Sequence, residues 1–522
     1  MRKIVLLSGI SFLFWTCNEQ TTTKKEDGKQ YDSSYKPAAF SDASRMERMQ
    51  QALPVIDKIF RDYADSNHLP GLAYGLIMDG KLVYKNNFGY TDIEKKISVT
   101  SSSLFRIASM SKSFAAMAIL KLRDEGRLNL DDPAYLYVPE LKKLKYPTAD
   151  APVITIRHLL THGAGFPEDN PWGDRQLADN DKDLTNFLNK QVSFSNAPGI
   201  SYEYSNLGFA LLGKIITNVS GKRYQDYIKE NIWIPLGMKA TTYEYGDVTA
   251  DKLAHGYRWL NEKWNEETLL HDTPDGSWGA MGGMISSIEE FANYVAAHLS
   301  AWPPGNSKEE GPIRRSSIRE MHHPWRLNGM NLNFKYPTGR ICPVITSYCY
   351  GLNWLRDCEG RVFVGHSGGL PGFGSNWRIM PDYGIGIVSF ANRTYAPMAQ
   401  VNLQVLDTLI RIAGLQPRQI PPSEILEQRK NELVKLLPDW NNAQQRNFFP
   451  DYPIDTLKKY SSELYTKAGR IISVKEMKPE NQLRGSFIIE GEKTNIEIYF
   501  TLSPENPALI QEYHIREVPK VK

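Results

Sequence analysis

The stretch FRIASMSKSFAAMAILKL, residues 105–122, decides how this chain is read. From Phe114 to Leu120 every residue is apolar, so the segment is expected to be a helix buried on most of its faces. Ser109, Ser111, Lys112 and Ser113 stand at its start. Ser109 and Lys112 are three residues apart and so share one helix face. A serine hydroxyl is a weak nucleophile until a base takes its proton. A lysine can be that base when apolar surroundings disfavour its ammonium form. The uncharged run after Lys112 supplies such surroundings, and a helix N-terminus favours negative charge developing on a bound substrate.

The S-x-x-K spacing is weak evidence alone, since Ser33 to Lys36 repeats it in a polar segment. Its company gives it weight. PGISYEYSNLGFALLGKII, residues 198–216, carries Tyr204-Ser205-Asn206, and RVFVGHSGGLPGFGSNW, residues 361–377, carries His366-Ser367-Gly368.

S-x-x-K, Y-x-N and H-x-G in this order resemble the serine β-lactamase-like superfamily, in the group of class C β-lactamases, DD-peptidases and related esterases. ITIRHLLTHGAGF (154–166), NIWIPLGMKATTY (231–243), GAMGGMISSIEEFANYV (279–295) and GGLPGFGSNW (368–377) resemble family segments in their expected order. The resemblance implies an α/β (α+β) fold, an antiparallel sheet flanked by helices plus a mainly helical subdomain. It implies that Ser109 forms an acyl-enzyme and that Lys112 and Tyr204 handle its proton, the choice of main base staying open between them. Asn206 would bind the substrate's amide, and His366, Ser367, Gly368 and Gly369 would form the strand edge beside it. The N–H groups of Ser109 and Gly369 would form the oxyanion hole. No cofactor or metal is implied.

The expected activity is hydrolysis of an amide or ester, such as a D-amino-acid peptide, a cell-wall peptide or a small ester. Many β-lactamases of the group have lysine where this chain has His366. Histidine is mostly uncharged at neutral pH and attracts a carboxylate weakly, so weak or no β-lactamase activity is expected. The alternative is a non-catalytic penicillin-binding-like or peptide-binding lipoprotein that retains the fold. Intact reactive side chains in all three motifs argue against it.

The rest of the sequence frames this domain. At 522 residues the chain exceeds one compact core. Apolar residues at 41% and charged residues at 23% describe an ordinary globular protein, and a net charge of +3 gives no sign of nucleic-acid binding. Arg2 and Lys3 followed by the uncharged run Ile4–Trp15 form a signal-peptide pattern over 1–16. Cys17 then resembles the lipid-attachment cysteine of a bacterial lipoprotein, which implies export to the periplasm or cell surface with membrane contact only through the anchor. A polar disordered tether is expected over 17–45, the hydrolase domain over 46–415, a linker at LQPRQIPP (415–422), and a C-terminal α+β domain over 423–522. That last domain reads as two helices and four strands, in a cystatin-like arrangement.

Within the hydrolase domain, GLAYGLIMDGKLVYKNNFGY (71–90) reads as a hairpin turning at Asp79-Gly80. Strand signals return only between 350 and 392, so the sheet should draw strands from both ends of the domain. Cys342, Cys349 and Cys358 allow one disulfide and leave one thiol over, and spacing does not choose. His158 and His162 are four apart but lack an H-E-x-x-H context, so they read as structural rather than metal-binding. His322-His323 reads as surface. Trp172, Trp278, Phe373 and Trp377 divide between cleft and core. Incorporation of a fatty-acid analogue should depend on Cys17: Cys17→Ser should lose the label and leave the membrane fraction, and retention of both would remove the lipoprotein assignment.

Overall fold

In the computed structural model the described residues are 34–249, 251–270, 275–437, 440 and 454–520, so Cys17 and the signal-like segment lie outside them. The expected hairpin is present as strands Gly71–Met78 and Lys81–Asp92. Asp79 and Gly80 both have positive φ, 52° and 76°, the backbone a two-residue hairpin turn requires. Gly71–Met78 then pairs antiparallel with Ile385–Ala391, from the far end of the domain, with Leu72 opposite Ala391.

These strands are the second, third and fourth of a nine-stranded sheet. Its order is 97–98, 81–92, 71–78, 385–391, 373–380, 362–370, 353–357, 344–348 and 326–331. One face packs on the helices Arg45–Ser66 and Met398–Ile412, with Ile56, Phe60, Val401 and Leu406 in the core between them. The other face packs on Ser111–Asp124 and Ile288–Ser300 and continues into a mainly helical region, 127–240. The two outermost strands, 344–348 and 326–331, carry no strong apolar alternation, and the sequence reading did not include them.

Three expectations change. Ser109 does not open the α-helix itself but sits in a 3-10 turn, Ala108–Met110, that leads into Ser111–Asp124. The tether does not extend to residue 45. Ala39 forms a β-bridge with Gln419, and Phe40 is stacked by the guanidinium groups of Arg45 and Arg418. His322 is not a surface residue. It is buried, with Nε2 2.7 Å from Nδ1 of His298, and it accepts from Trp302 Nε1 at 2.9 Å.

A second compact unit is built mainly from residues 423–522. It has helices Glu424–Leu436 and Ile454–Ala468 and five strands rather than four, because Lys478–Asn481 forms a short hairpin with Arg484–Gly491. Ile496, Ile498, Phe500 and Leu502 alternate inward and meet Leu426, Leu433 and Leu464, as a one-sided sheet requires.

Cys342 and Cys358 form the disulfide, and Cys349 is a buried free thiol. The register between strands 344–348 and 353–357 sets Val344 opposite Asp357, which brings the flanking cysteines together. The bridge closes a loop of sequence separation 16. Chain-entropy arithmetic assigns such a loop about 3 kcal/mol. Cys358→Ser should lower the unfolding free energy by roughly that amount in urea, and a change under about 0.5 kcal/mol would show that the strand pairing alone holds this corner.

Candidate active site

Lys112 has no solvent exposure, and its Nζ touches three oxygens: Ser109 Oγ at 3.0 Å, Asn206 Oδ1 at 2.7 Å and the Met281 carbonyl at 2.7 Å. The amide and carbonyl oxygens can only accept, so they take two Nζ protons. The third position on Nζ faces Ser109. As an ammonium it donates there; as a free amine it presents its lone pair to the serine O–H. Burial pushes the lysine pKa down to about 7, against the opposing pull of Asp169, Asp174 and Glu168.

Tyr204 is half-buried, and its hydroxyl hydrogen-bonds Ser109. Burial pushes its pKa well above 10, so it stays a neutral phenol. Lys112 Nζ lies 4.9 Å from the centre of its ring. Ser109 and Tyr204 line a cleft of about 460 Å³ together with His366, Ser367, Gly368 and Gly369.

The opposite wall is the strand Val362–Leu370. A Cβ on Gly368 would lie 2.2 Å from the Ile107 carbonyl and 2.4 Å from Ser375 Oγ, so only glycine lets the strand approach the turn that carries Ser109. His366 is buried and has no free ring nitrogen. Nδ1 is 2.5 Å from the Ser367 carbonyl, which can only accept, so the proton sits there; Nε2 accepts from the Tyr348 hydroxyl at 2.9 Å. Burial, with the charge of Lys112 adding, pushes its pKa down to about 3. The ring is neutral, as its residue type suggested, but its one N–H is spent on its own strand and is not offered to a substrate.

Asn206 also differs from its expected placement. Its side chain has 0% exposure, with Oδ1 on Lys112 and Nδ2 donating to Asn170 Oδ1 at 2.8 Å. Asn170, not Asn206, lines the cleft. None of Trp172, Trp278, Phe373 and Trp377 lines it; Trp278 and Trp377 are core residues.

Two residues hold the Tyr204 turn. Asp169 Oδ1 and Oδ2 accept from the N–H groups of Asn206 at 2.7 Å and Leu207 at 2.9 Å, capping the helix Asn206–Ser220. His162 bonds on both sides of Tyr204. Its carbonyl accepts from the Glu203 N–H at 2.9 Å, and its Nδ1 accepts from the Ser205 N–H at 3.0 Å. The ring proton therefore lies on Nε2, which is buried without a hydrogen-bond partner among the described residues. His162 does this at φ 52°, a left-handed conformation. Residue type alone signals neither role.

The Beta-lactamase family model matches residues 56–410, and the chain belongs to that family. It is a member of the β-lactamase and penicillin-binding-like serine hydrolase superfamily. Protein flp of Staphylococcus aureus (strain MW2) is 30% identical over 361 residues, 67% of this chain and 66% of that protein. Penicillin-binding protein 4* of Bacillus subtilis (strain 168) is 27% identical over 56% of this chain and 62% of its own length. The chain thus spans just under two thirds of these relatives. Among solved structures, the octameric penicillin-binding protein homologue from Pyrococcus abyssi has a TM-score of 0.57 at 22% identity, covering 89% of this chain and 99% of its own. The penicillin-binding protein from Bacillus halodurans has a TM-score of 0.52 at 22% identity, covering 67% and 98%.

The double hold of His162 is testable through stability. His162→Ala leaves the Ser205 N–H without its acceptor and removes the buried ring, at a cost of about 1–3 kcal/mol. His162→Asn keeps an acceptor and a residue type that tolerates this φ, and should recover more than half of the loss in urea unfolding. Equal destabilisation by both would show that ring packing, not the hydrogen bond, is what matters.

Proposed function

We propose that this protein is a serine hydrolase that works through an acyl-enzyme on small esters and D-amino-acid amides or peptides, with poor β-lactam turnover. The observation that carries this is the 3.0 Å contact between Lys112 Nζ and Ser109 Oγ at the base of an open cleft. In the free-amine form Lys112 takes the Ser109 proton as Oγ bonds to the substrate's carbonyl carbon. Collapse of the tetrahedral adduct breaks the bond from that carbon to the leaving oxygen or nitrogen. Tyr204, a neutral phenol bonded to Ser109, is placed to give the departing group its proton. Water then releases the acyl group by the same steps in reverse. Ser109 and Gly369 N–H groups serve as oxyanion donors in this scheme.

The substrate class follows from the cleft's walls. Among the described residues no Lys, Arg, Asp or Glu lines it, and His366 is neutral and internally bonded. A substrate carboxylate meets no cation at the His366 position, which disfavours efficient penicillin hydrolysis and suits neutral esters and amides.

The experiment is active-site labelling with a kinetic panel. A fluorophosphonate should label wild type on Ser109 by peptide mapping, and Ser109→Ala should abolish it; an adduct on Ser111 or Ser113 would overturn the assignment. The kcat/KM for a neutral p-nitrophenyl ester should rise with pH through an apparent pKa near 7 and level off above it, because only the free amine accepts a proton and Lys112 has a pKa of about 7. Nitrocefin should turn over at least about tenfold more slowly than the ester, the size expected for a missing charge contact. A protein that is labelled but turns over neither would be the non-catalytic binding protein.

A further inference from the structure

Behind the strand that walls the cleft lies a charged group with no partner among the described residues. Arg378 stands opposite Gly365 on the neighbouring strand Phe373–Met380. Side chains alternate across this strand. Ser375 faces the nucleophile and donates to the Ile107 carbonyl at 2.7 Å. Asn376 faces the other way, where it donates to Ser367 Oγ at 3.0 Å and accepts from Asn402 of the helix Met398–Ile412 at 2.8 Å. Arg378, two residues further along, shares the face of Asn376. Its guanidinium has no hydrogen bond or ion pair among the described residues, and Nη1 is buried. Its one contact of note is the ring of Phe363, 5.8 Å from centroid to guanidinium carbon.

Arg378 is half-buried, and a guanidinium partly withdrawn from water with no partner is costly; native structures normally pair such groups. Here the surroundings supply room for a partner. Arg378 lines a groove of about 180 Å³ that contains no Asp or Glu. A water takes about 30 Å³, so the groove has space for several waters or one small anion. Asn328, Ser347 and Asn353 also line it, and their side chains make no hydrogen bonds among the described residues. Asn353, His366 and Ser367 line both this groove and the Ser109 cleft, so the two cavities meet at the end of the strand.

We propose that this groove is an anion site, in which Arg378 supplies the charge and Asn328, Ser347 and Asn353 supply hydrogen bonds to a carboxylate or phosphate group. The planar fork of arginine suits two oxygens of either group. The anion has two possible sources: the far end of a substrate whose scissile carbonyl sits at Ser109, or a free small anion.

The test uses the full chain at constant ionic strength, with chloride as background. Glutarate or inorganic phosphate should raise Tm saturably in wild type. Arg378→Met should lose the rise while melting at or above wild type in anion-free buffer, since it removes a half-buried charge that has no partner among the described residues. Arg378→Lys should keep the rise at higher anion concentration. No saturable rise with either anion in wild type, or an undiminished rise in Arg378→Met, overturns the site. Two esters then separate the sources, mono-p-nitrophenyl glutarate and p-nitrophenyl acetate. If the anion is the substrate's own, Arg378→Met raises KM at least about tenfold for the glutarate ester alone, the effect of one charged hydrogen bond. Unchanged KM for both, with the Tm rise intact in wild type, identifies a free anion. Only this kinetic arm rests on the hydrolase reading: if neither ester is cleaved that reading fails, while the melting result still decides the anion site.

Discussion

A lysine with no access to water is the constraint around which the catalytic unit is arranged. Lowering its pKa from the ordinary 10.5 to about 7 means that the folded state is penalised by roughly 5 kcal/mol at and below pH 7, a penalty relieved as pH rises from 7 towards 10. Such a cost is borne only if the surrounding packing is strong, and it is: Phe114 to Leu120 are all fully buried. The same burial creates the chemistry. Asn206 Oδ1 and the Met281 carbonyl take the protons that Nζ always carries, so the one it can lose is the one facing Ser109. A base in this position needs no separate orienting group.

The rest of the site is a matter of holding parts still around that amine. The glycine-rich strand is close because it lacks side chains where it passes the Ser109 turn. The Tyr204 turn is fixed from outside by Asp169 on its helix side and by His162 on both sides of the tyrosine. His366 is fixed by bonds at both ring nitrogens. It therefore acts as part of the wall, and behind that wall lies Arg378, a cation with no partner among the described residues.

Ser109, Lys112 and Tyr204 were legible in the sequence because their chemistry depends on residue type and spacing, and both are written there. The central strands and the main helices were legible from periodicity and turn residues. Asp169, Asn170 and His162 were not, because each acts through a backbone group or an amide that any folded context could have used otherwise. Asn206 was assigned to the substrate from its place in a motif, whereas its burial against Lys112 depends on how three separate segments meet. Strand 326–331 escaped notice because an exposed edge needs little apolar alternation, and 344–348 beside it because five residues carry too short a pattern. The disulfide could be chosen only once the register between strands 344–348 and 353–357 was known.

The pairing of Leu72 with Ala391 has a consequence for how the protein is made. The first strand of the domain leaves the ribosome long before its partner exists. At 5–20 residues per second the wait is roughly 15–60 s, during which Gly71–Met78, buried along its whole length in the finished protein, has its hairpin partner and the preceding helix Arg45–Ser66 for cover but one strand edge unpaired. The sheet cannot close until residues 385–391 have been made, and contacts this distant in sequence also make closure slow. A nascent chain of this design depends on something other than its own fold to keep that strand from pairing with another molecule's.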